Sequence, residues 1–267
     1  MKNLEERKIS FIGGGNIAEV FIERLVQSGF VFQSNILVSD LKQERLDELK
    51  NKYCIQVTKS NQEATKFGEF IFIAVPPPQV KTVLSENCKM IRDDQVLISL
   101  AAAIPLWIFE SVLCKDVATV RVIPNTPSQI GKGVNPYCLG KHLTEQQIKD
   151  VEELLSVFGT SIKIDESQMN IATALSAVGP TYFFPAIKAL KDFTLKNGMN
   201  EKDAVEIISQ TISGTAELVR ETGKDPDELK LMIGTRTIDE EAVKDIFTKA
   251  IEEAFSKVNY ATKKLTE

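Results

Sequence analysis

Residues 9–18 read Ile-Ser-Phe-Ile-Gly-Gly-Gly-Asn-Ile-Ala, an apolar run that leads into the spacing Gly-x-Gly-x-x-Ala through Gly13, Gly15 and Ala18. Set between a strand and a helix, that spacing suits a pyrophosphate. Gly13 permits a tight turn, Gly15 lets phosphate approach the backbone, and Ala18 keeps the helix close to the strand. The helix start offers unpaired N–H groups and partial positive charge to an anion. Residues 36–40, Ile-Leu-Val-Ser-Asp, close a second strand, whose tip faces the adenosine ribose in such sites. A carboxylate at Asp40 accepts from a 2′-hydroxyl and repels a 2′-phosphate, which favours NAD. Ser39, Lys42 and Arg45 suit a 2′-phosphate instead, and capping of the next turn is a further use for Asp40. The expected cofactor is therefore NADP or NAD. Two later segments, Ala-Val-Pro-Pro-Pro-Gln at 74–79 and Arg-Val-Ile-Pro-Asn-Thr-Pro at 121–127, close strands with prolines. Proline cannot continue a ladder, so the chain turns at the C-terminal edge of the sheet, where ligands of open α/β sheets bind. Asn125 and Thr126 add an amide and a hydroxyl suited to a nicotinamide carboxamide or a small substrate.

These residues need a particular scaffold. β-branched and apolar runs at 9–12, 36–38, 70–75, 96–100, 119–123 and 161–164 predict strands, several apolar on both faces. Ile17, Phe21 and Leu25, with Ala18, Ile22 and Val26 beside them, predict a helix that stops at Gly29. Strand–helix alternation predicts a parallel sheet with right-handed crossovers. After Asp165 long helical periods take over. One buried helix is expected over 169–194, one after an Asn200 cap to about 221, a start at Asp225-Pro226, and a last helix over 239–261. The expected architecture is α/β: an N-terminal Rossmann-type doubly wound sheet over 1–165 and an all-α domain over 166–267. The broad apolar helix faces of that second part predict packing against another subunit.

Composition narrows the classes further. Lys and Arg number 32 against 37 Asp and Glu, a net charge of −5, which argues against nucleic-acid binding. No apolar run approaches the ~18 residues of a membrane span, and no apolar leader is present, so a cytoplasmic protein is expected. His142 is the single histidine, and Cys54, Cys88, Cys114 and Cys138 have no metal-ligand spacing, so no metal is expected. Buried, unpaired thiols are the expected state of the cysteines.

The chain resembles the pyrroline-5-carboxylate reductase family. The matching pieces stand in family order: IGGGNIAEVF at 12–21, Asn61 ahead of the strand at 70–75, AAAI at 101–104, RVIPNTP at 121–127, ATALSAVGPTYFF at 172–184, Gln210-Thr211 with Gly214, and Asp225-Pro226 before Gly234-Thr235-Arg236-Thr237-Ile238. The resemblance implies a helical C-terminal domain that dimerises, hence a homodimer or higher homo-oligomer. It also implies NAD(P)H-dependent reduction of the cyclic imine Δ1-pyrroline-5-carboxylate to L-proline, a step of proline biosynthesis. By the matching motifs, Gly13, Gly15, Asn16 and Ile17 line the pyrophosphate, and Ser39 and Asn61 lie near the adenosine. Val75, Pro77, Ala101 and Asn125 lie near the nicotinamide. Gly179, Pro180 and Thr235 lie on the side of the imino-acid substrate, and Thr237 hydrogen-bonds the imine nitrogen.

Four departures stand against the family pattern: Pro76-Pro77-Pro78 for Lys-Pro-Gln, Ala177-Val178 ahead of Gly179-Pro180 for Gly-Ser, Asp40-Leu41 after the strand-2 serine, and a shortened loop at 234–237. Hydride transfer to a protonated imine needs positioning more than acid catalysis. Tyr182, or a water held by Thr237, can donate if the imine arrives neutral. The shortened loop has gained a guanidinium, and Arg236 is expected to hold the substrate carboxylate bidentately. Thr237 also stands three residues before Glu240, a capping-box spacing. Two other readings remain: a β-hydroxyacid-dehydrogenase-like oxidoreductase using Lys188, and a non-catalytic nucleotide-sensing protein.

Overall fold

The structure is a computed structural model that describes residues 4–235 and 237–267. Its strands are β1 (Ile9–Ile12), β2 (Ile36–Ser39), β3 (Gln56–Thr58), β4 (Phe70–Ile73), β5 (Val96–Ser99), β6 (Ala118–Val122), β7 (Gly133–Leu139) and β8 (Gly159–Lys163), in one sheet of order β3-β2-β1-β4-β5-β6-β7-β8. β1 to β6 run parallel, β7 is antiparallel to β6, and β8 is parallel to β7. The direction of winding reverses between β1 and β4, so their C-terminal ends flank a switch point.

Alternate residues of the same strands feed two cores, which is why several of the strands read apolar on both faces. Ile9 and Phe11, Phe70 and Phe72, and Val96 and Ile98 face one core, with α1 (Asn16–Ser28) and α6 (Glu145–Ser156) packed on it. Ile12, Ile71, Ile73 and Leu97 face the other, under α3 (Asn61–Phe67), α4 (Val80–Asn87) and α5 (Leu106–Val112). Phe11 and Phe72 stack at 4.7 Å between ring centroids, joining β1 to β4 directly behind the switch point. α2 (Gln43–Tyr53) follows β2, and α1 ends at Gly29 in the left-handed region (φ 65°), as the glycine there predicts.

β3 and β7 were not expected. β3 is a three-residue edge strand, too short to show alternation. β7 carries Gly133, Asn135 and Pro136, residues that argue against a strand. It is tolerated because the Pro136 carbonyl still accepts from the Ile123 N–H at 2.9 Å and buried Asn135 accepts from the Ser128 hydroxyl.

Two compact units result: residues up to Val178 with Ala254–Glu267, and Gly179–Glu253. Strands end at Lys163, close to the expected change at 165. The first unit nevertheless runs on to Val178, because α7 (Met169–Ala172) and a π turn over Thr173–Ala177 pack on the sheet, with Met169 in a cluster with Leu106, Ile123 and Cys138. The single buried helix expected over 169–194 is therefore replaced by α7, the π turn and α8 (Pro180–Lys196), and no residue of α8 is buried. α9 (Glu201–Thr222) starts at the expected cap, where Asn200 accepts from the Asp203 N–H at 2.9 Å. α10 (Pro226–Leu229) is a single turn opened by Asp225, and α11 (Glu240–Thr266) closes the chain. Among the described residues no helix is long and apolar enough to cross a membrane.

Candidate functional site

At the switch point Gly13 has φ +100°, and a side chain there would place its Cβ 2.7 Å from the Ala74 carbonyl oxygen, so β1 and β4 approach as closely as glycine allows. Gly15, the residue before α1, has open space where a side chain would be. No side chain caps the N-terminus of this 13-residue helix, which leaves its first N–H groups facing that space. The middle peptide of the turn is held from both ends. The Gly14 N–H donates to Asp40 Oδ2 at 2.8 Å, and the Gly14 carbonyl accepts from Arg45 Nε at 2.6 Å. An open, anion-ready turn on a fixed backbone is what a pyrophosphate requires, so the residues present fit a dinucleotide.

The turn opens onto a groove of about 720 Å³. Of the residues singled out by sequence, Gly13, Gly15, Asn16, Ser39, Asp40, Asn61 and Val75 line it. Ser39 donates to Asn61 Oδ1 at 2.8 Å, which leaves the Asn61 NH₂ to donate. Ile17 packs against the core behind the turn. Pro77 starts a short 3-10 turn at the end of β4, and Ala101 is buried beyond β5. Asn125, beyond β6, accepts the Val134 N–H at 3.1 Å through Oδ1. These last three stand at the same C-terminal edge as the turn but do not line the groove.

Asp40 departs from the simplest expectation. Its two oxygens already accept backbone N–H groups, Gly14 on one side and Lys42 at 2.9 Å on the other. Arg45 is likewise engaged, by Gly14, Glu19 and Glu48, which removes it as a ready partner for a 2′-phosphate. Burial alone would raise the Glu19 pKa, but hydrogen bonds from Arg45, Lys52 and Tyr53 hold it down to about 2. Sequence reasoning missed this brace because nothing in the spacing of Glu19, Arg45 and Tyr53 marks their convergence. It also missed Thr82 and Glu86, which line the groove from α4.

A second polar knot lies beside β6. Arg121, 1% exposed, donates to Glu166 Oε1 at 2.6 Å. Glu166 also accepts the Leu106 N–H and the Cys138 thiol. Burial, reinforced by the Glu166 carboxylate, pushes the Cys138 thiol far up, so it stays protonated and donates. The AAAI segment holds Ala103 at φ +63°, a left-handed conformation rare for a residue with a side chain. Cys54 and Cys114 are exposed, against expectation, because Cys54 occupies a left-handed helix end and Cys114 follows α5; Cys88 and Cys138 are buried, and all four are free. No cluster of three or more His, Cys, Asp or Glu placed to hold a metal occurs among the described residues.

The residues assigned to the substrate side lie in the helical unit. Gly179 and Pro180 open α8, and the Tyr182 ring meets Phe247 edge-on at 6.5 Å. Burial raises the Tyr182 pKa, which keeps its phenol protonated. Thr235 and Thr237 are exposed. Asp239, not Thr237, caps α11, accepting the Ala242 N–H at 3.0 Å, so the capping-box reading of Thr237 gives way. Arg236 lies outside the described residues. Lys188 pairs with Asp192 one turn along α8.

Comparisons with known proteins follow the same division. A family model described as NADP oxidoreductase, coenzyme F420-dependent, matches residues 8–103, and one described as pyrroline-5-carboxylate reductase dimerisation matches 166–261. A pyrroline-5-carboxylate reductase of Methanosarcina acetivorans is 31% identical, over 93% of this chain and 95% of its own. That of Escherichia coli is 30% identical over 98% and 99%. The crystal structure of a pyrroline carboxylate reductase of Plasmodium falciparum with NADP bound superposes with a TM-score of 0.83 over 99% of this chain and 100% of that one, and at 24% identity shows a shared fold.

Proposed function

The chain belongs to the pyrroline-5-carboxylate reductase family, and from that premise we propose how its own residues carry the NAD(P)H-dependent reduction of Δ1-pyrroline-5-carboxylate to L-proline. The observation that carries the reading is the turn at 13–16: glycine where a Cβ would strike Ala74, open space over Gly15, and an uncapped helix start. When bound, the reduced nicotinamide supplies the hydride that the imine carbon accepts. Gly13, Gly15, Asn16 and Ile17 line the pyrophosphate, which the free N–H groups of the helix start hold, while the Gly13 N–H stays on the Ser39 carbonyl at 2.9 Å. Ser39, Asp40 and Asn61 hold the adenosine end, and Val75, Pro77, Ala101 and Asn125 seat the nicotinamide end.

The remaining work is orientation of a small ring and delivery of one proton to its nitrogen. Thr237 holds that nitrogen through its hydroxyl, a role its exposure and its absence from the α11 cap support. Tyr182 donates when the imine arrives neutral. Arg236 holds the substrate carboxylate, with Thr235, Gly179 and Pro180 beside the ring; the support is sequence, since Arg236 stands where the family loop is shortened. Residues 1–165 act as the NAD(P)-binding domain and 166–267 as the substrate and dimerisation domain, in a homodimer or a higher homo-oligomer in the cytoplasm.

The test is direct. Purified protein mixed with pyrroline-5-carboxylate and NADH or NADPH consumes the reduced cofactor and forms proline one for one. Nucleotide binding without turnover favours a sensor, and turnover of a hydroxy acid favours the dehydrogenase-like reading.

A further inference from the structure

We infer that Asp40 makes the groove select a dinucleotide whose adenosine ribose carries a free 2′-hydroxyl, that is NADH over NADPH, an inference that rests on reading the groove as the cofactor site. Asp40 directly follows the last residue of β2, beside Ser39 and Asn61, at the end of the groove assigned to the adenosine. Both of its oxygens are pinned, Oδ2 by the Gly14 N–H at 2.8 Å and Oδ1 by the Lys42 N–H at 2.9 Å. A carboxylate accepts about four hydrogen bonds, so each oxygen keeps capacity for a hydroxyl donor. A ribose 2′-hydroxyl supplies one.

A 2′-phosphate supplies negative charge instead, and a carboxylate pinned at both oxygens cannot turn away from it. The cations nearby do little to offset this. Arg45 is spent on Gly14, Glu19 and Glu48. Lys42 is exposed, and Glu86 adds a second acid to the groove lining. Asp40 thus has two separable duties: it braces the phosphate turn, which serves either dinucleotide, and it discriminates at the ribose, which serves one.

The experiment measures dissociation constants of NADH and NADPH without substrate, by titration calorimetry, for the native chain, Asp40→Asn, Asp40→Ser and Lys42→Ala. The native protein is expected to bind NADH at least about tenfold more tightly, the scale of one added like-charge contact near a protein surface. Asp40→Asn and Asp40→Ser are expected to bring the ratio towards one, chiefly by gaining NADPH. Equal or tighter NADPH binding by the native protein overturns the inference. So does an equal loss of both nucleotides in the Asp40 variants, which would leave the brace alone, or a loss confined to NADPH in Lys42→Ala, which would mark a phosphate site. Failure to bind either nucleotide overturns the cofactor reading itself, and the selectivity with it.

Discussion

The sheet unit and the helical unit solve burial in opposite ways. In the first, Phe11, Phe21, Phe72, Phe109 and Phe158 are all essentially buried within one chain. In the second, Ala204 and Ile208 are the buried residues of α9, while Phe184 and Phe193 on α8 are 58% and 68% exposed, with Leu231, Met232, Ile233 and Ile246 also open to solvent. A stable isolated chain does not leave that much aromatic surface in water. The sheet unit buries its aromatic residues in one copy, whereas the helical unit leaves apolar surface open, in keeping with the match of residues 166–261 to a dimerisation family.

The strongest way to break this contrast is the double variant Phe184→Asp, Phe193→Asp. Charges on a face that must be covered should shift the protein to monomer by light scattering and lower kcat/KM by about 100-fold or more, while NADH or NADPH still binds the sheet unit. An unchanged oligomer would show that α8 faces water by design. Gly13→Ala is the counterpart in the sheet unit. A Cβ 2.7 Å from the Ala74 oxygen at φ +100° should cost about 1–3 kcal/mol of stability and most nucleotide affinity, with the oligomer intact. Melting and calorimetry check both parts, and a variant that binds normally would remove the turn from the site.

The substrate side is sharpened by three milder substitutions. Thr237→Ala should lower kcat about 10- to 100-fold while Thr237→Ser keeps most of it. Arg236→Ala should raise KM for the imino acid about tenfold and leave kcat near native, as a lost carboxylate clamp would; an unchanged KM ends that assignment. The smallest effect belongs to the brace behind the turn. The Glu19 pKa of about 2 lies below the ordinary 4.5, so its contribution to stability is present above 4.5 and fades as pH falls towards 2. Glu19→Gln should therefore destabilise by roughly 1–2 kcal/mol near neutral pH and by little near pH 2, read from denaturant midpoints across that range.

Much of the sheet unit was legible because its signals are local. Short apolar, β-branched runs mark β1, β2, β4, β5 and β6, each buried along its whole length, and Gly13, Gly15 and Ala18 mark the turn without reference to anything distant. β7 was not legible, since Gly133, Asn135 and Pro136 are poor strand formers rescued by partners elsewhere, Ser128 and Ile123 among them. Asp40 was legible as a polar residue at a strand tip. Its fixation by Gly14 was not, because a carboxylate meeting a backbone N–H 26 positions away leaves no pattern in the chain. The helical unit was the harder half. The apolar period over 169–194 reads as one buried helix, yet the chain breaks it at a π turn and buries no residue of α8, because a sequence cannot say whether cover comes from the same chain or from another copy. Thr237 and Glu240 matched a capping box, but Asp239 caps the helix instead, two residues being enough to move a helix start.

Glu166 gathers a loop amide at the start of α5, a guanidinium from β6 and a thiol from β7 onto one carboxylate. Leu106 follows the Ala101–Ile104 stretch and Arg121 leads into Pro124–Pro127, so none of the three segments can be re-engineered alone. Swapping Arg121 strands an acid, swapping Glu166 strands a cation in the dry interior, and swapping Cys138 leaves an oxygen lone pair unmet. Anyone grafting a new specificity onto this scaffold should treat Arg121, Cys138 and Glu166 as a single cassette, exchanged together or left in place.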